Sequence, residues 1–401
     1  MQIFGAHDEN TLAQFRDVAS RAEKAALMAD GHVGYVMPIG GVAAYDGRVS
    51  VVGVGFDIAC GNAAILTDLS VDHLSGIRDS VADDIFASLS FGVGLSNLDV
   101  DAPQDHELFQ DPAWEAIPEG PQAHRSKLLR KARQQLGTIG AGNHYVDVFA
   151  DEEGRIWVGV HFGSRGFGHT IASNYLALSA GQPWGTKGKE REVLLHLDDP
   201  IGHDYWHLME LAGRYAYAGR EWVCRKVVSL MGGRELDLVH NHHNFAWMET
   251  LGGRDYVVIR KGATPAHPGQ RGFVGGSMGD HAVILRGTAP PEGSPDDFLQ
   301  KQALYSTVHG AGRVMSRTAA KGRWKKGKQI KQGRITHEKM HDWVRSKDVV
   351  LRGGDLDESP HVYRRLPEVL AAQGGTIEIL HTLRPLIVCM APGNTFDPYR
   401  D

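Results

Sequence analysis

The 401-residue sequence predicts an α+β fold built from mixed and antiparallel sheets. Three observations carry that prediction. Short apolar runs of strand length, often ended by glycine, recur along the chain; a single long helical pattern spans 203–230; and strands and helices alternate without the βαβ rhythm of a doubly wound sheet. With no internal repeat and no Pro/Ser linker, one compact domain over 1–401 is expected, and an apolar fraction of 42% supplies its core.

Taken in order, Leu12, Phe15, Ala19, Ala22 and Ala26 recur at helical spacing and predict a helix over 11–28, stopped by Gly31. A strand broken by turns follows over 30–43. The run Val51-Val52-Gly53-Val54 predicts a buried strand that delivers Asp57 and Cys60 into a glycine-flanked loop. Residues 67–123 are polar and irregular with short helical pieces. Arg125, Lys127, Arg130, Lys131 and Arg133 fall on a predicted short helix, whose basic face is either solvated or phosphate-contacting. Short strands are predicted at 145–149, 156–161, 256–260 and 282–286. Pro290, Pro291 and Pro295 mark 287–301 as a surface-loop insertion. Residues 321–334 hold seven basic side chains, no acid and an interleaved Trp324. A solvated loop has that composition, and so does a contact for single-stranded RNA.

Composition narrows the function classes. A formal charge of -5 gives no global basic signature, so any nucleic-acid contact must come from local patches. Three scattered cysteines, Cys60, Cys224 and Cys389, exclude a disulfide framework and fit a reducing compartment. The first residues lack a signal-peptide profile and no run approaches membrane-spanning length, so a cytoplasmic protein with no membrane association is expected, as a monomer. The 49 glycines imply many tight turns, and the 21 histidines raise the prior for metal or acid/base chemistry.

Asp57 and Cys60 place an oxygen and a sulfur ligand three residues apart. Alone the pair also reads as a turn cap beside a buried thiol. Glycine-flanked histidines shift that balance. His144 follows Gly142-Asn143 and opens a predicted strand with Asp147 close behind; His161 ends a strand before Gly163-Ser164-Arg165-Gly166, where Ser164 and Arg165 suit an anion. His242-His243-Asn244 is the third motif. One thiolate and one carboxylate with three histidines suit Zn, Fe, Co or Mn, and are plausible for two ions sharing a bridging sulfur. His309, at the mouth of Gly310-Ala311-Gly312-Arg313, is placed to attack phosphorus while backbone N–H groups and Arg313 hold the oxygens. Gly275-Gly276-Ser277-Met278-Gly279 is another turn that can approach a phosphate or base closely.

On these motifs the chain resembles the RtcB family of RNA ligases from end to end. The likeness rests on Pro38-Ile39-Gly40-Gly41-Val42-Ala43, Gly55-Phe56-Asp57 with Cys60-Gly61, Gly142-Asn143-His144, His161 to Gly166, His242-His243-Asn244, Arg260-Lys261-Gly262-Ala263, Gly276 to Gly279 and His309 to Arg313. The resemblance implies a single compact domain around a dinuclear metal cleft. It implies a GTP- and Mn²⁺-dependent ligase that joins RNA 2′,3′-cyclic phosphate or 3′-phosphate ends to 5′-hydroxyl ends in RNA repair or tRNA splicing. By likeness, Asp57 and His144 hold one Mn²⁺, His161 and His243 the other, and Cys60 bridges the two ions. His309 becomes guanylylated. Asn143, Asp147, Asn244, Gly275, Gly276, Ser277, Met278, Gly310, Ala311 and Gly312 bind the nucleotide. Ser164, Arg165, Arg313, Arg323, Trp324, Lys325 and Lys326 are expected to meet RNA.

The chain departs from the family pattern in three places. Asp147 stands where Glu is usual, Gly275 where Pro is common, and the C-terminal Lys-Gly pair, whose lysine contacts guanine, is replaced by a run through Met390-Ala391-Pro392-Gly393. The changes imply a divergent paralogue. Two other readings are a metal-dependent phosphohydrolase that opens cyclic phosphates without ligating and a non-catalytic RNA-binding paralogue. Hydrolysis needs the metals but not His309.

Overall fold

A computed structural model describes residues 1–325 and 328–393, with the side chains of 324, 325, 328 and 329 outside the description. Two sheets dominate the described residues. The larger runs in the order Arg271–Val274, Ala282–Gly287, Ile377–Pro392, Tyr145–Ala150, Arg155–Phe162, Gly61–Ser70 and Glu235–His242, with Val350–Gly354 added in parallel to Ile377–Pro392. Its other pairings are antiparallel. The edges nearly close: Asn241 Oδ1 accepts from Phe273 N at 2.9 Å, and Arg271 pairs with Asp237. The smaller sheet runs Gln2–Ile3, Lys24–His32, Ile39–Tyr45, Arg254–Lys261 and Asn244–Leu251.

The 31-residue helix Pro200–Leu230 packs across Gly61–Ser70 and Arg155–Phe162. Pro200 suits its first turn, where the missing N–H has no intrahelical partner to lose. Tyr205, Leu208, Ala212, Tyr215, Val223 and Val227 are among the side chains that bury its inner face. Arg220 is the one charged residue among the buried ones of that helix.

Three expectations change. The first helix stops at Ala19, and 24–32 is a strand, in which seven consecutive residues from Ala25 to Gly31 are buried. Burial on both faces removes the alternation that marks a strand, and alanines at 22 and 26 satisfy a helical period equally well. The run Val51–Val54 is a single helical turn: Ser50 Oγ accepts from Gly53 N at 2.8 Å and caps it. It still delivers Asp57 and Cys60. The 287–301 stretch is not a bare loop, since Pro295–Gln302 is helical, capped by Ser294, with Gln300 buried. The predicted helix near 124–133 is found at His124–Gln135, and the predicted strands at 145, 156, 256 and 282 form within a residue or two of their expected bounds.

Candidate active site

Antiparallel register gathers the cluster. Gly61 pairs with both Phe162 and His242, and Tyr145 pairs with His161. Cys60, His144, His161 and His243 therefore reach one end of the larger sheet, although they are far apart in sequence. The Asp57–Cys60 loop is pinned there. Ala59, at φ 61°, donates its N–H to Asn244 O at 2.7 Å, and Cys60 O accepts from His243 N at 2.8 Å. Ser164 Oγ donates to Ile58 O at 2.5 Å. A Cβ on Gly163 would run into the Asp57 carboxylate, so glycine is what lets this loop close on the strand end.

Behind the loop lies Arg220, fully buried. Its Nη1 donates to Ala59 O at 3.0 Å and Phe162 O at 2.6 Å, and its Nη2 lies 2.9 Å from His242 Nδ1. One guanidinium thus ties together the backbone beside Cys60, the backbone beside His161 and the side chain beside His243.

The donor atoms of Cys60, His161 and His243, and those of Asp57, Cys60 and His144, form two groups that share the sulfur, with atoms in each within 4.8 Å of one another. Cys60 Sγ is 3.6 Å from His161 Nε2 and 3.7 Å from His144 Nε2, which is itself 3.1 Å from Asp57 Oδ2. Outer hydrogen bonds select the His161 tautomer. Asn62 Nδ2 donates to Phe273 O at 2.7 Å, which turns its Oδ1 toward His161 Nδ1 at 2.6 Å; His144 Nδ1 lies 3.0 Å from Ile139 O. His161 therefore carries its proton on Nδ1 and presents an Nε2 lone pair, the arrangement of metal-binding histidines; His144 Nδ1 is shared with Arg165 Nη1 at 3.2 Å, and its Nε2 faces Asp57. Burial holds the His161 and His243 imidazoles neutral, well below the usual histidine range. Burial also pushes the Cys60 thiol up, helped by the adjacent Asp57. Burial acts to raise Asp57 as well, but the His144 hydrogen bond and charge outweigh it and bring the carboxyl to about 2. His243 Nδ1 is buried with no hydrogen-bond partner. A cluster of imidazole nitrogens, a carboxylate and a buried sulfur fits one or two divalent cations.

The cluster opens into a cleft of about 300 Å³. His309 follows the strand Ser306–Val308 and lines the cleft beside the cluster, its ring centroid 4.9 Å from that of His243. Asp30, fully buried on Lys24–His32, accepts from His309 Nδ1 at 2.6 Å, from His309 N at 2.9 Å and from Gly310 N at 3.3 Å. One carboxylate oxygen thereby fixes the ring and the turn, and leaves Nε2 as the lone-pair nitrogen. Arg313 Nη1 meets Tyr363 Oη at 3.0 Å and Glu358 at 3.5 Å, while its Nη2 is buried without a partner. Arg317 pairs with Asp357 and Glu358.

Tyr145, stacked on His161, lines the cleft together with Asp147, Met278, Val388 and Met390. Val388 and Met390 alternate with Cys389, which turns away toward Ala82 O. Asp147 Oδ1 has no partner, and burial pushes its carboxyl well above the usual range. Apolar side chains of Met278, Val388 and Met390 thus flank one unpaired acceptor in the cleft wall.

Sequence reasoning anticipated much of this lining: Asp57, Cys60, Asn143, Asp147, His161, His243, Asn244, Gly275, Gly276, Ser277, Met278, His309, Gly310, Ala311, Gly312 and Arg313 all border the cleft, with His144 behind Cys60. The expected RNA contacts fare differently. Ser164 is fully buried and braces the Asp57 loop, so its hydroxyl is not offered to a ligand. The Arg165 guanidinium lies against His144 and Thr138, behind the donors. Arg323 is exposed on the strand Gly322–Lys325; the side chains of Trp324 and Lys325, and the whole of Lys326, lie outside the described residues. Asp30, His32, Asn62, Tyr145, Arg220, Arg317, Glu358, Tyr363, Val388 and Met390 were missed as site residues. Polar residues inside otherwise apolar runs, such as Asp30 and Asn62, were the available signal.

A fixed histidine beside a soft, mixed donor cluster has the components of a metal-assisted phosphoryl-transfer site. Residues 11–391 match the family described as tRNA-splicing ligase RtcB. The chain is 31% identical to a tRNA-splicing ligase RtcB of Archaeoglobus fulgidus, over 90% of this chain and 86% of that one, and 29% identical to the Thermococcus kodakarensis protein of the same name over the same shares. It is 29% identical to the RNA-splicing ligase RtcB of Escherichia coli K12, over 91% of this chain and 89% of that one. The chain belongs to the RtcB family of RNA-splicing ligases.

Proposed function

We propose that this chain joins RNA 3′-phosphate or 2′,3′-cyclic phosphate ends to 5′-hydroxyl ends through a guanylylated His309, with GTP as the nucleotide and two Mn²⁺ ions. The observation that carries the reading is the Asp30–His309 pair facing the five-donor cluster across one cleft. Family membership supports RNA as the substrate.

In the first step the His309 Nε2 lone pair attacks the α-phosphorus of GTP; the N–P bond forms and the bond to pyrophosphate breaks. The proton stays on His309 Nδ1, hydrogen-bonded to Asp30, whose carboxylate offsets the positive charge that develops on the ring. The backbone of Gly310–Gly312 and the unpartnered Arg313 Nη2 line the phosphate path. A cyclic end is first opened by water, which adds to phosphorus as the P–O2′ bond breaks and leaves a 2′-hydroxyl; an oxygen of the RNA 3′-phosphate then takes GMP from His309, and the 5′-hydroxyl attacks that RNA phosphorus, losing its proton, as GMP leaves. Asp57, Cys60, His144, His161 and His243 would hold divalent ions, which supply charge neutralisation for the phosphates when bound. Asn143, Asp147, Asn244 and the 275–278 turn surround the nucleoside. Arg313 and Arg317 supply positive charge beside it for the RNA phosphate.

The test is incubation with α-labelled GTP and Mn²⁺, followed by a denaturing gel, beside His309→Ala and Cys60→Ala. Label on the wild type alone is expected. Absence of label with GTP but label with ATP would move the nucleotide assignment and leave the chemistry. With label from neither, and cyclic phosphates opened all the same, the phosphohydrolase reading replaces the ligase.

A further inference from the structure

The helix Pro200–Leu230 carries a feature that the cleft does not use. His203 and His207 stand one turn apart near its start, both exposed, with side-chain accessibilities of 62% and 48%. Their Nε2 atoms are 3.1 Å apart and their ring centroids 4.4 Å apart. At a metal–nitrogen distance of about 2.05 Å, that separation corresponds to an N–metal–N angle of about 98°, between the octahedral and tetrahedral values. The nitrogen separation is therefore the one that a shared ion requires.

The same separation also suits a hydrogen bond from one imidazole to the other. What lies on the far side of each ring separates a chelate from a simple pair. His203 Nδ1 lies 3.5 Å from Asp204 Oδ1, and His207 Nδ1 lies 3.5 Å from Glu210 Oε2. Each carboxylate therefore favours a proton on Nδ1 of its own histidine. With both rings in that form, both Nε2 atoms hold lone pairs that face each other, an arrangement that repels unless a cation sits between them. A carboxylate behind each ligating imidazole is the outer arrangement that orients metal-bound histidines and raises their basicity.

We propose that His203 and His207 form a second, exposed metal site that takes a borderline divalent ion of the Zn²⁺, Ni²⁺ or Cu²⁺ class through their two Nε2 atoms, with water in the remaining positions. Two neutral imidazoles without a directly ligating oxygen or thiolate disfavour Mg²⁺ and Ca²⁺, and among first-row divalent ions they favour Mn²⁺ least. The pair lies about 20 Å along the helix axis from Arg220, which backs the cleft, so the two sites load separately. The inference does not depend on the ligase reading.

The experiment is a Zn²⁺ titration by isothermal calorimetry of the full chain, first stripped with chelator. Wild type is compared with His203→Gln, with His207→Gln and with the double variant; Cu²⁺-loaded samples of each are examined by electron paramagnetic resonance. The double variant is expected to bind one equivalent fewer per chain, and each single variant to weaken that equivalent at least tenfold. Nitrogen hyperfine structure from two imidazoles is expected to vanish from the exposed Cu²⁺ signal while the cleft's own signal persists. Thermal unfolding without metal is expected to be the same for all four proteins, because both side chains are exposed. Equal stoichiometry and equal spectra in the wild type and the double variant would overturn the proposal and leave an imidazole–imidazole hydrogen bond.

Discussion

Asp30→Asn tests the pair at the centre of the proposed chemistry. The carboxylate oxygen that accepts from His309 Nδ1 also accepts from the N–H groups of 309 and 310. The introduced amide keeps the size and still offers a carbonyl to the backbone, so the turn is expected to survive. What it removes is the negative charge facing a ring that becomes positive as the N–P bond forms. A hydrogen bond to a charged group is worth about 1.5–3 kcal/mol. At about 1.36 kcal/mol per tenfold in rate, the guanylylation step should slow roughly 10- to 150-fold. Single-turnover transfer of label from α-labelled GTP to His309 measures that step, and equilibrium GTP binding measures the ground state. The expected pattern is a slower transfer with nearly unchanged GTP affinity. Transfer at the wild-type rate would refute the argument that Asp30 stabilises the reacting ring, and a loss confined to GTP affinity would reassign Asp30 to nucleotide binding.

Arg220→Met should destabilise the fold by about 2–4 kcal/mol, since two buried carbonyls at 59 and 162 lose their donor while the cost of burying a charge is relieved. Mn²⁺ affinity by calorimetry should fall with it, and Arg220→Lys should recover part; an unchanged affinity would show that the guanidinium does not position the donors. Burial holds the Lys261 ammonium down at about 7 against an ordinary 10.5, with its Nζ donating to Tyr35 O and Val52 O. The unfolded chain therefore binds the proton more tightly, and the wild type should gain stability over Lys261→Met by up to about 1.4 kcal/mol per pH unit from pH 7 to 10.5, with no slope below. A flat difference in denaturant titrations across that window would contradict the sign. Gly275→Ala puts a Cβ into the Tyr145 hydroxyl, and the Tyr145 ring is stacked on His161 at 5.4 Å. A cost of about 1–3 kcal/mol is expected, largely cancelled when Tyr145→Phe is added; additive effects in that double-mutant cycle would deny the contact.

Short buried strands with glycine at their ends were legible because their apolar runs end abruptly, and the helix over 200–230 because its period is sustained for many turns. The strand at 24–32 was not, since a segment covered on both faces has no alternation to read. Among the site residues, those that ligate or attack announce themselves by type: cysteine, histidine and aspartate beside glycine. The residues that orient them do not. Asn62, Asp30 and Arg220 act across sequence separations of 99, 279 and 161 residues on His161, His309 and the Ala59 carbonyl, and no local pattern predicts such pairings. Ser164 shows the converse error: a hydroxyl between glycines looks like an anion grip until the fold turns it inward onto Ile58.

The departures from the family pattern become coherent once placed in the cleft. Gly275 is adjacent to the Tyr145 hydroxyl, so the two positions constrain each other: a proline ring at 275 would meet the same oxygen that a Cβ meets. Tyr145 in turn stacks on His161, whose Nε2 faces Cys60, so a change at 275 is connected by packing to the donor cluster. Asp147 follows two residues later on the same strand and therefore on the same face, with its Oδ1 unpaired beside Met278, Val388 and Met390. With no cation among the described residues at that end of the cleft, the buried carboxyl has no local charge to balance it, and burial drives it toward its protonated form. Ligand N–H groups are the partners that would draw it back to the carboxylate. The departures at 147 and 275 thus meet in one stretch of the cleft lining, where the Asp147 carboxyl leaves an acceptor for the N–H groups of a ligand.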